Sequence, residues 1–250
     1  MYTKIKTEEE IQKMRISGKM LANVLKVISN AVEPGISELD ISELAKKELR
    51  SLGGKPAFLG YMGFPDVICI SVNEEVVHGI PKNRELNDGD IVGLDFGVNY
   101  EGMITDSAKT IIVGKQEDKI KEKLILGTNE ALFSGIDVLH HGVRVGDISA
   151  AIEQKLKSYG FGIVRNLVGH GVGHNVHEEP NIPNYGIKGT GDVLKAGMTI
   201  AIEPMTTLGK EDVLVKEDGW TVVTKDGSLS AHFEHTVLIT NNGFEILTEE

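Results

Sequence analysis

An internal repeat constrains the fold of this chain more strongly than any other feature of its sequence. Residues 35–53 read GISELDISELAKKELRSLG and match residues 142–160, GVRVGDISAAIEQKLKSYG, at seven positions. In each half an HxxP motif follows (residues 78–81 and 177–180), and then a strand that carries an acidic residue. Chance similarity between amphipathic helices is the alternative, but it does not explain the shared order. The repeat predicts an α+β protein of duplicated α/β halves, about residues 5–115 and 116–248, with pseudo-twofold symmetry and a site where the halves meet.

Composition excludes several classes of protein. Hydrophobic residues make up 40% of the 250 residues and charged residues 25%, which is typical of a globular protein. The formal charge of −11 argues against nucleic-acid binding as the main function. One cysteine, Cys69, excludes an internal disulfide framework and a cysteine-based metal site. No apolar run is long enough for a membrane span. We therefore expect a soluble, cytoplasmic protein.

Local signals predict four helices and several strands. Thr7 and Glu10 form a capping-box signature at the start of the first helix, and Asp147 is expected as the N-cap of the last. A C-terminal hairpin is expected to pair residues 220–224 with 231–240 across a turn at Asp226-Gly227. The helices are expected at residues 7–32, 41–52, 117–141 and 147–159, and the other strands at 67–77, 89–96, 103–113 and 198–204.

Two aspartates flank the turn expected at residues 99–102. Asp95 stands in the apolar stretch IVGLDFGV, and Asp106 stands in the returning strand. If the strands pair about the centre of that turn, the two carboxylates are direct cross-strand partners on one face, with Cβ atoms ~5 Å apart. Two buried carboxylates at that distance repel each other and are costly to desolvate, and a divalent metal ion between them removes both problems. Solvated residues at the rim of a sheet are the alternative.

Two glutamates repeat this pattern. Glu203 stands in TIAIEPM and Glu234 in SAHFEHTVLI, each an acid inside an apolar strand with no lysine or arginine nearby in sequence to pair with it. Together with Asp95, Asp106 and His170, these glutamates make a set of four carboxylates and one imidazole. Such a set suits two divalent ions better than one tetrahedral zinc. Two ions ~3.5–4 Å apart can activate a bridging hydroxide and polarise a carbonyl group. The predicted chemistry is metal-assisted hydrolysis of an amide or ester.

The segment GHGVGHNVHEEP (169–180) contains three histidines. His170 is the expected metal ligand, and His177 aligns with His78 through the HxxP repeat. Strand alternation would place His170 and His174 on one face and His177 on the other. We therefore expect the strand to break before His177. His174 has no assigned role.

These motifs resemble those of the type I methionine aminopeptidases, which have the pita-bread fold. The resemblance runs from about residue 4 to residue 247, and the order Asp, Asp, His, Glu, Glu is a specific signature. It implies one catalytic pita-bread domain, residues 1–250, around a central antiparallel sheet. The matching segments are SVNEEVVHGIP (71–81), LDFG (94–97), TDSA (105–108), GHGVGHNVHEEP (169–180), AIEPM (201–205) and DGWTVVTKDGSLSAHFEHTVLIT (218–240).

By position, the resemblance implies a dinuclear metal centre. Asp106 and Glu234 bridge both ions, Asp95 chelates one, and His170 and Glu203 complete the other. Glu203 is also the proton shuttle for the bridging water. The ligand set tolerates Co, Mn, Fe and Zn, so the sequence leaves the cellular metal open.

The resemblance also implies catalytic and substrate-binding residues. His78 faces the scissile amide nitrogen, and His177 stabilises the tetrahedral intermediate. Elsewhere in the family the positions of Phe58, Phe64 and Val176 can carry other residues, and many members have histidine at Met62. For Cys69 a plain core role is an equal alternative. The methionine pocket is implied at Tyr61, Phe64, Cys69 and Trp220, with Phe58 and Val176 adjoining.

The implied activity is removal of the initiator methionine from nascent proteins whose second residue is small, by attack of the bridging hydroxide on the methionine carbonyl. Glu203 and Glu234 are only 31 residues apart, which leaves no room for the insertion of the type II enzymes. A monomer that contacts the ribosome transiently is expected. An X-Pro aminopeptidase or prolidase is the alternative enzyme, although that group usually carries an additional N-terminal domain. A metal-free pita-bread binding module is the non-catalytic alternative.

Overall fold

The computed structural model describes residues 2–115 and 117–249. None of the helices in these two ranges is long and apolar enough to cross a membrane. The helices are α1 (Glu8–Ala31), α2 (Glu38–Leu52), α3 (Lys119–Ile136), α4 (Val145–Tyr159) and a 3-10 helix at Tyr61–Gly63. The strands are β1 (Lys55–Pro56), β2 (Ile68–Val72), β3 (Glu75–Val77), β4 (Ile91–Tyr100), β5 (Met103–Ile112), β6 (Gly162–Ile163), β7 (Gly169–Gly171), β8 (Glu178–Ile182), β9 (Thr199–Ile202), β10 (Met205–Thr207), β11 (Val213–Val215), β12 (Val222–Thr224), β13 (Ser230–His232), β14 (Glu234–Thr240) and β15 (Gly243–Ile246).

The helices begin and end at local signals in the sequence. Thr7 caps α1 through the predicted capping box with Glu10. α2 and α4 end at Gly53 and Gly160, which have φ of 82° and 78°, a left-handed conformation that glycine adopts without strain. The four predicted helices are present, whereas the boundaries of the half-repeats and the single-domain organisation stay a prediction.

The prediction that Asp147 is the N-cap of α4 is wrong. Arg144 is the N-cap, so Asp147 occupies the third helical position. There its carboxylate accepts a hydrogen bond of 3.0 Å from the Arg144 backbone N–H. Asp40 has the same place in α2, behind the Ser37 cap. An aspartate can satisfy a free N–H group from either position, so the residue type alone does not fix where the helix begins.

One nine-stranded sheet connects the two halves of the chain. Its order is β1-β4-β5-β14-β9-β7-β8, with β2 also paired to β4 and β15 to β14. Helices cover one face: α1 and α2 pack with Leu94 and Phe96 of β4, and α3 and α4 pack with Ile200 and Ile202 of β9. Because side chains alternate along a strand, the intervening residue Asp95 points to the opposite face. The candidate site lies on that face.

The β4–β5 hairpin has a different register from the predicted one. Its two-residue turn is Glu101-Gly102, with φ of 48° and 87°, as in a type I′ turn. Asp106 is therefore the partner of Gly97, and Asp95 is the partner of Ala108. The prediction that the two aspartates are direct partners is wrong, because the turn is centred further along the chain. They are diagonal neighbours, and the offset of two residues keeps both on the same face.

The predicted C-terminal hairpin is also wrong. β12 pairs with β11 and β3, whereas β13 pairs with β10. The chain does turn at the predicted place, with Gly227 at φ 73°, but the flanking strands enter different sheets. The strand expected at residues 231–240 divides at Phe233 into β13 and β14. A turn signal fixes a local reversal, and long-range packing decides which strands then pair.

Candidate metal centre and substrate pocket

Neighbouring strands of the large sheet bring four acidic residues together. Asp95 lies on β4, Asp106 on β5 and Glu234 at the start of β14, and Glu203 directly follows β9. Ala108 is the cross-strand partner of both Asp95 and Glu234. Its small side chain leaves space above the sheet for the carboxylates on either side.

His170 on β7 approaches the acids from the other side. Its Nε2 lies 3.5 Å from Oε1 of Glu203. Its Nδ1 lies 2.9 Å from the Gly171 carbonyl oxygen, which can only accept, so Nδ1 carries the proton and Nε2 keeps its lone pair. This tautomer is the one required of an imidazole that binds a metal through Nε2.

Two groups of three side chains have the spacing of metal ligands. One donor atom each from Asp106, His170 and Glu234 lie within 4.8 Å of one another. The same holds for Glu203, His232 and Glu234. Glu234 belongs to both groups, which is the arrangement that a ligand shared between two ions requires.

Three of the carboxylates have an oxygen without a hydrogen-bond partner, and this bears on whether divalent ions fit the site. Oδ1 of Asp95, Oδ1 of Asp106 and Oε1 of Glu234 are buried and have no hydrogen-bond partner among the described residues. Burial raises the pKa of Asp95 to about 7, with the charge of Glu203 adding to the rise and His232 opposing it. Burial and neighbouring carboxylates raise the pKa of Asp106 and of Glu234 well above the usual range. Divalent cations would satisfy these oxygens and neutralise their charge, so the residues fit the metals.

Glu203 differs from the other three acids. Burial by itself raises its pKa, but the nearby imidazoles of His232, His170 and His177 outweigh burial and lower it. Glu203 is therefore the acid of this cluster that stays ionised most readily. A carboxylate in that state can accept a proton.

The predicted break in the histidine segment is present. β7 ends at Gly171 and β8 begins at Glu178. The side chains between the two strands therefore need not alternate between the faces of the sheet. The ring of His177 meets that of His170 edge to face, with centroids 4.3 Å apart. His174 instead turns away to Glu10, with 2.8 Å between its Nε2 and Oε1 of Glu10.

Two histidines face the carboxylates as neutral bases. Burial lowers the pKa of His78, whose backbone has φ of 59°. His177 is exposed toward the cavity, but partial desolvation there, and then the nearby His170, lower its pKa to about 4. Nδ1 of His177 lies 2.9 Å from the Tyr61 hydroxyl. If that hydroxyl donates, Nε2 carries the imidazole proton and is free to donate into the cavity.

Every predicted site residue lines one cavity of about 190 Å³. Phe64 and Trp220 pack edge to face on its wall, with centroids 5.2 Å apart, and Met62 is 80% exposed beside it. His174 does not line the cavity. The predicted lining residues that it includes are Phe58, Tyr61, Phe64, Cys69, His78, Asp95, Asp106, His170, Val176, His177, Glu203, Trp220 and Glu234. Lining residues that were not predicted are Met62, Val77, Leu167, Val168 and Met205.

Comparison with known proteins identifies the family. The model of metallopeptidase family M24 matches residues 12–241. The chain belongs to metallopeptidase family M24. A methionine aminopeptidase of Clostridium perfringens is 47% identical over 98% of both chains. The crystal structure of a methionine aminopeptidase from Thermotoga maritima is 48% identical, covers 99% of this chain and 100% of its own, and superposes with a TM-score of 0.97. The predicted family and the pita-bread fold are confirmed.

A more distant structure belongs to the alternative enzyme class within family M24. A prolidase from Pyrococcus furiosus is 26% identical, with a TM-score of 0.79. The match covers 98% of this chain and 65% of the prolidase. The M24 fold is therefore shared between the two classes, and the chain matches about two thirds of the prolidase.

Sequence reasoning missed one residue beside these carboxylates. His232 is buried, and its Nε2 lies 3.4 Å from Oε2 of Glu203. The available signal was its position two residues before Glu234 in SAHFEH, because residues two apart on a strand share a face. The chain breaks between β13 and β14 at this point, so the signal was weak.

Proposed function

We propose that this M24 metallopeptidase removes the N-terminal methionine from nascent proteins whose second residue is small. The observation that carries the proposal is the cavity itself, in which an apolar wall adjoins a cluster of unpaired buried carboxylates. The wall can hold an unbranched apolar side chain, and the carboxylates require cations. Relatives that match over nearly their full length are methionine aminopeptidases.

We propose that two divalent ions, drawn from Co, Mn, Fe and Zn, bind at this centre. The residues that would hold them are Asp95, Asp106, His170, Glu203 and Glu234. When bound, such ions supply an activated water and a Lewis acid for hydrolysis of a peptide bond. The orphaned carboxylate oxygens and the tautomer of His170 support this assignment.

The chain's own residues supply proton transfer and hydrogen bonds. Glu203, the acid with a lowered pKa, receives the proton lost by the attacking water and passes it to the leaving amine nitrogen. His78 faces that nitrogen. His177 donates from Nε2 to the oxygen on which negative charge develops, and the Tyr61 hydroxyl fixes its tautomer. Both imidazoles remain neutral at pH 7 because their pKa values are lowered.

The methionine side chain would lie against the apolar wall, on the sheet face opposite the helices. Phe58, Phe64, Cys69 and Val176 belong to one buried cluster with Tyr61 and Trp220 packed on it. Gly97 allows this packing, because a Cβ at that position would lie 2.6 Å from the Phe58 ring. The cluster supports Cys69 as a pocket residue.

A peptide assay tests this function. Purified protein loaded with Co²⁺ or Mn²⁺ is incubated with Met-Ala-Ser and with Met-Leu-Ser, and free methionine is measured. We expect release from Met-Ala-Ser and much slower release from Met-Leu-Ser, as the proposed preference for a small second residue requires. Equal release from both, or none from either, would contradict the proposal.

An X-Pro aminopeptidase or prolidase activity is the second candidate, supported by the shared M24 fold. An Ala-Pro peptide assayed beside the methionine peptides separates the two activities. Metal analysis of the native protein addresses the non-catalytic binding module, since a module would neither retain nor respond to divalent ions. The higher identity to methionine aminopeptidases favours the methionine activity.

The setting of the enzyme follows from its proposed substrate. Because nascent chains emerge at ribosomes, we propose a cytoplasmic monomer that contacts the ribosome transiently, with no membrane or nucleic acid as its main partner. The charge of −11 supports the last point. Analytical ultracentrifugation and co-sedimentation with ribosomes would test the first two.

A further inference from the structure

His232 has no role in the function proposed above, although it is one of the most buried polar residues near the centre. It is 3% exposed. Its Nε2 makes no hydrogen bond of good geometry among the described residues, and Oε2 of Glu203 lies 3.4 Å away. A buried imidazole nitrogen without a hydrogen-bond partner costs free energy, so its presence here requires an explanation.

The backbone of His232 is held firmly. Its N–H donates to Oγ1 of Thr110 over 2.9 Å, and the same hydroxyl donates to its carbonyl oxygen over 2.7 Å. Met205, two residues after Glu203, is its cross-strand partner. These contacts fix the backbone of His232, from which the imidazole reaches Glu203.

Glu203 lies between two imidazoles, and only one of them can donate to it while both are neutral. His170 uses its Nδ1 proton on the Gly171 carbonyl, so its Nε2 is an acceptor. Nε2 of His232 has no such restriction. It also faces the oxygen of Glu203 that His170 does not approach, Oε2 rather than Oε1.

We propose that His232 is a positioning residue that donates its Nε2–H to Oε2 of Glu203 and so keeps Oε1 directed toward the metal centre. The inference rests on the proposed function, because it concerns the carboxylate assigned to proton transfer. Fixing one oxygen of a carboxylate ligand restricts its rotation, and such outer hydrogen bonds typically change metal affinity or activity 10–100-fold. The rival assignment is direct metal binding by His232, since one of its ring nitrogens also lies within 4.8 Å of ligand atoms on Glu203 and Glu234.

Two matched variants test the assignment. His232→Gln keeps an N–H donor on an unbranched side chain. Methionine has a shape similar to that of glutamine but no donor, so His232→Met is the matched control. We measure kcat and KM with Met-Ala-Ser, and the stoichiometry and affinity of Mn²⁺ by calorimetric titration of the metal-free proteins. We expect His232→Met to lower kcat about 10–100-fold with KM changed less than about threefold, and His232→Gln to recover most of the loss. Both variants should still bind two equivalents of Mn²⁺.

Three results would overturn the proposal. Wild-type kcat in His232→Met would show that the donor is unnecessary. Loss of one equivalent of Mn²⁺ in both variants would identify His232 as a metal ligand. A His232→Gln enzyme as impaired as His232→Met would exclude the hydrogen bond. If His232→Met does not fold, as judged by circular dichroism, His232→Gln alone still decides, because donor and ligand roles predict different stoichiometry. Failure of the wild type to release methionine would refute the proposed function, while weaker Mn²⁺ binding in His232→Met than in His232→Gln would still support the positioning role.

Discussion

Glu75 and Glu234 are equally buried, each 2% exposed, but their surroundings are opposite. Glu75 accepts hydrogen bonds from Arg84, Lys216 and the Val72 backbone N–H. Burial by itself raises the pKa of Glu75, but these partners outweigh burial and lower it to about 2. The chain supplies all the positive charge that this carboxylate needs.

Glu234 has no such partner. No lysine or arginine lines its cavity among the described residues. Burial raises the pKa of Glu234, and the negative charge of Asp106 raises it further. A buried acid with internal cations has its charge compensated within the fold, whereas a buried acid without them requires cations from solution. The contrast therefore separates a structural carboxylate from a candidate metal ligand.

The largest expected effect comes from changing a carboxylate of the centre. Asp106→Asn should reduce turnover of Met-Ala-Ser by at least about 1000-fold, an effect of the size expected when metal-assisted catalysis is lost. The same change replaces a carboxyl group that is buried without a partner and whose raised pKa reflects the cost of ionising it there, so the metal-free variant should melt at or above the temperature of the wild type. Activity assays and thermal melts measure both. A variant that stays active, or unfolds in the metal-free state, would place Asp106 with Glu75 as a structural residue.

Metal removal extends the contrast to the whole protein. Dialysis against a chelator should abolish activity and lower the melting temperature, and Mn²⁺ at 100 times its Kd should restore about 2.7 kcal/mol of stability. Calorimetry with and without added metal measures the change. Identical melts in both conditions would mean that the carboxylates do not bind the ion.

Replacing Glu75 should lower the stability of the protein and leave its activity unchanged, the opposite of the effects expected for Asp106→Asn. Glu75→Gln should lower the free energy of unfolding by roughly 3 kcal/mol, the lower end of the range for breaking a buried ion pair, because Arg84 and Lys216 still reach solvent. Folded Glu75→Gln should keep normal kcat and metal stoichiometry. Urea denaturation and metal titration test this, and loss of metal binding without loss of stability would reverse the interpretation.

The two kinds of carboxylate predict opposite pH dependence for the metal-free protein. The folded-state pKa of Asp95, about 7, is above its unfolded value of about 4. Its contribution to stability is therefore complete below about pH 4 and is lost as pH rises toward 7. Glu75, with a folded pKa of about 2, contributes above about pH 4 and loses that contribution as pH falls. Melting temperatures from pH 3 to 8 should fall at both ends, and saturating metal should remove the loss on the alkaline side only.

The smallest effect is expected at His174. Its imidazole bonds to Glu10 at the start of α1, and both side chains are partly exposed, so His174→Ala should lower stability by less than about 1 kcal/mol. Activity should remain within about twofold of the wild type because His174 does not line the cavity. A large loss of turnover would show that this contact also holds His177 in place.

The sequence predicted the helices well because their signals are local. The capping box of Thr7 and the glycine at the end of α2 depend on residues within one turn. The β4–β5 register was predicted wrongly because the turn was centred one residue too early, although the turn at Glu101-Gly102 is itself local. The partner of β12 was predicted wrongly because its pairing with β3 joins residues that no short window contains.

The sequence by itself indicated four acids and one histidine that could form a metal centre, because a carboxylate within an apolar strand is recognisable from its neighbours. It also determined that the strand must break before His177. Only the tertiary structure decided how these residues meet: Ala108 separates Asp95 from Glu234, and His232 lies beside Glu203. The physical reason is that strand pairing joins residues far apart in the chain, and burial gives each carboxylate its partners or leaves it without any.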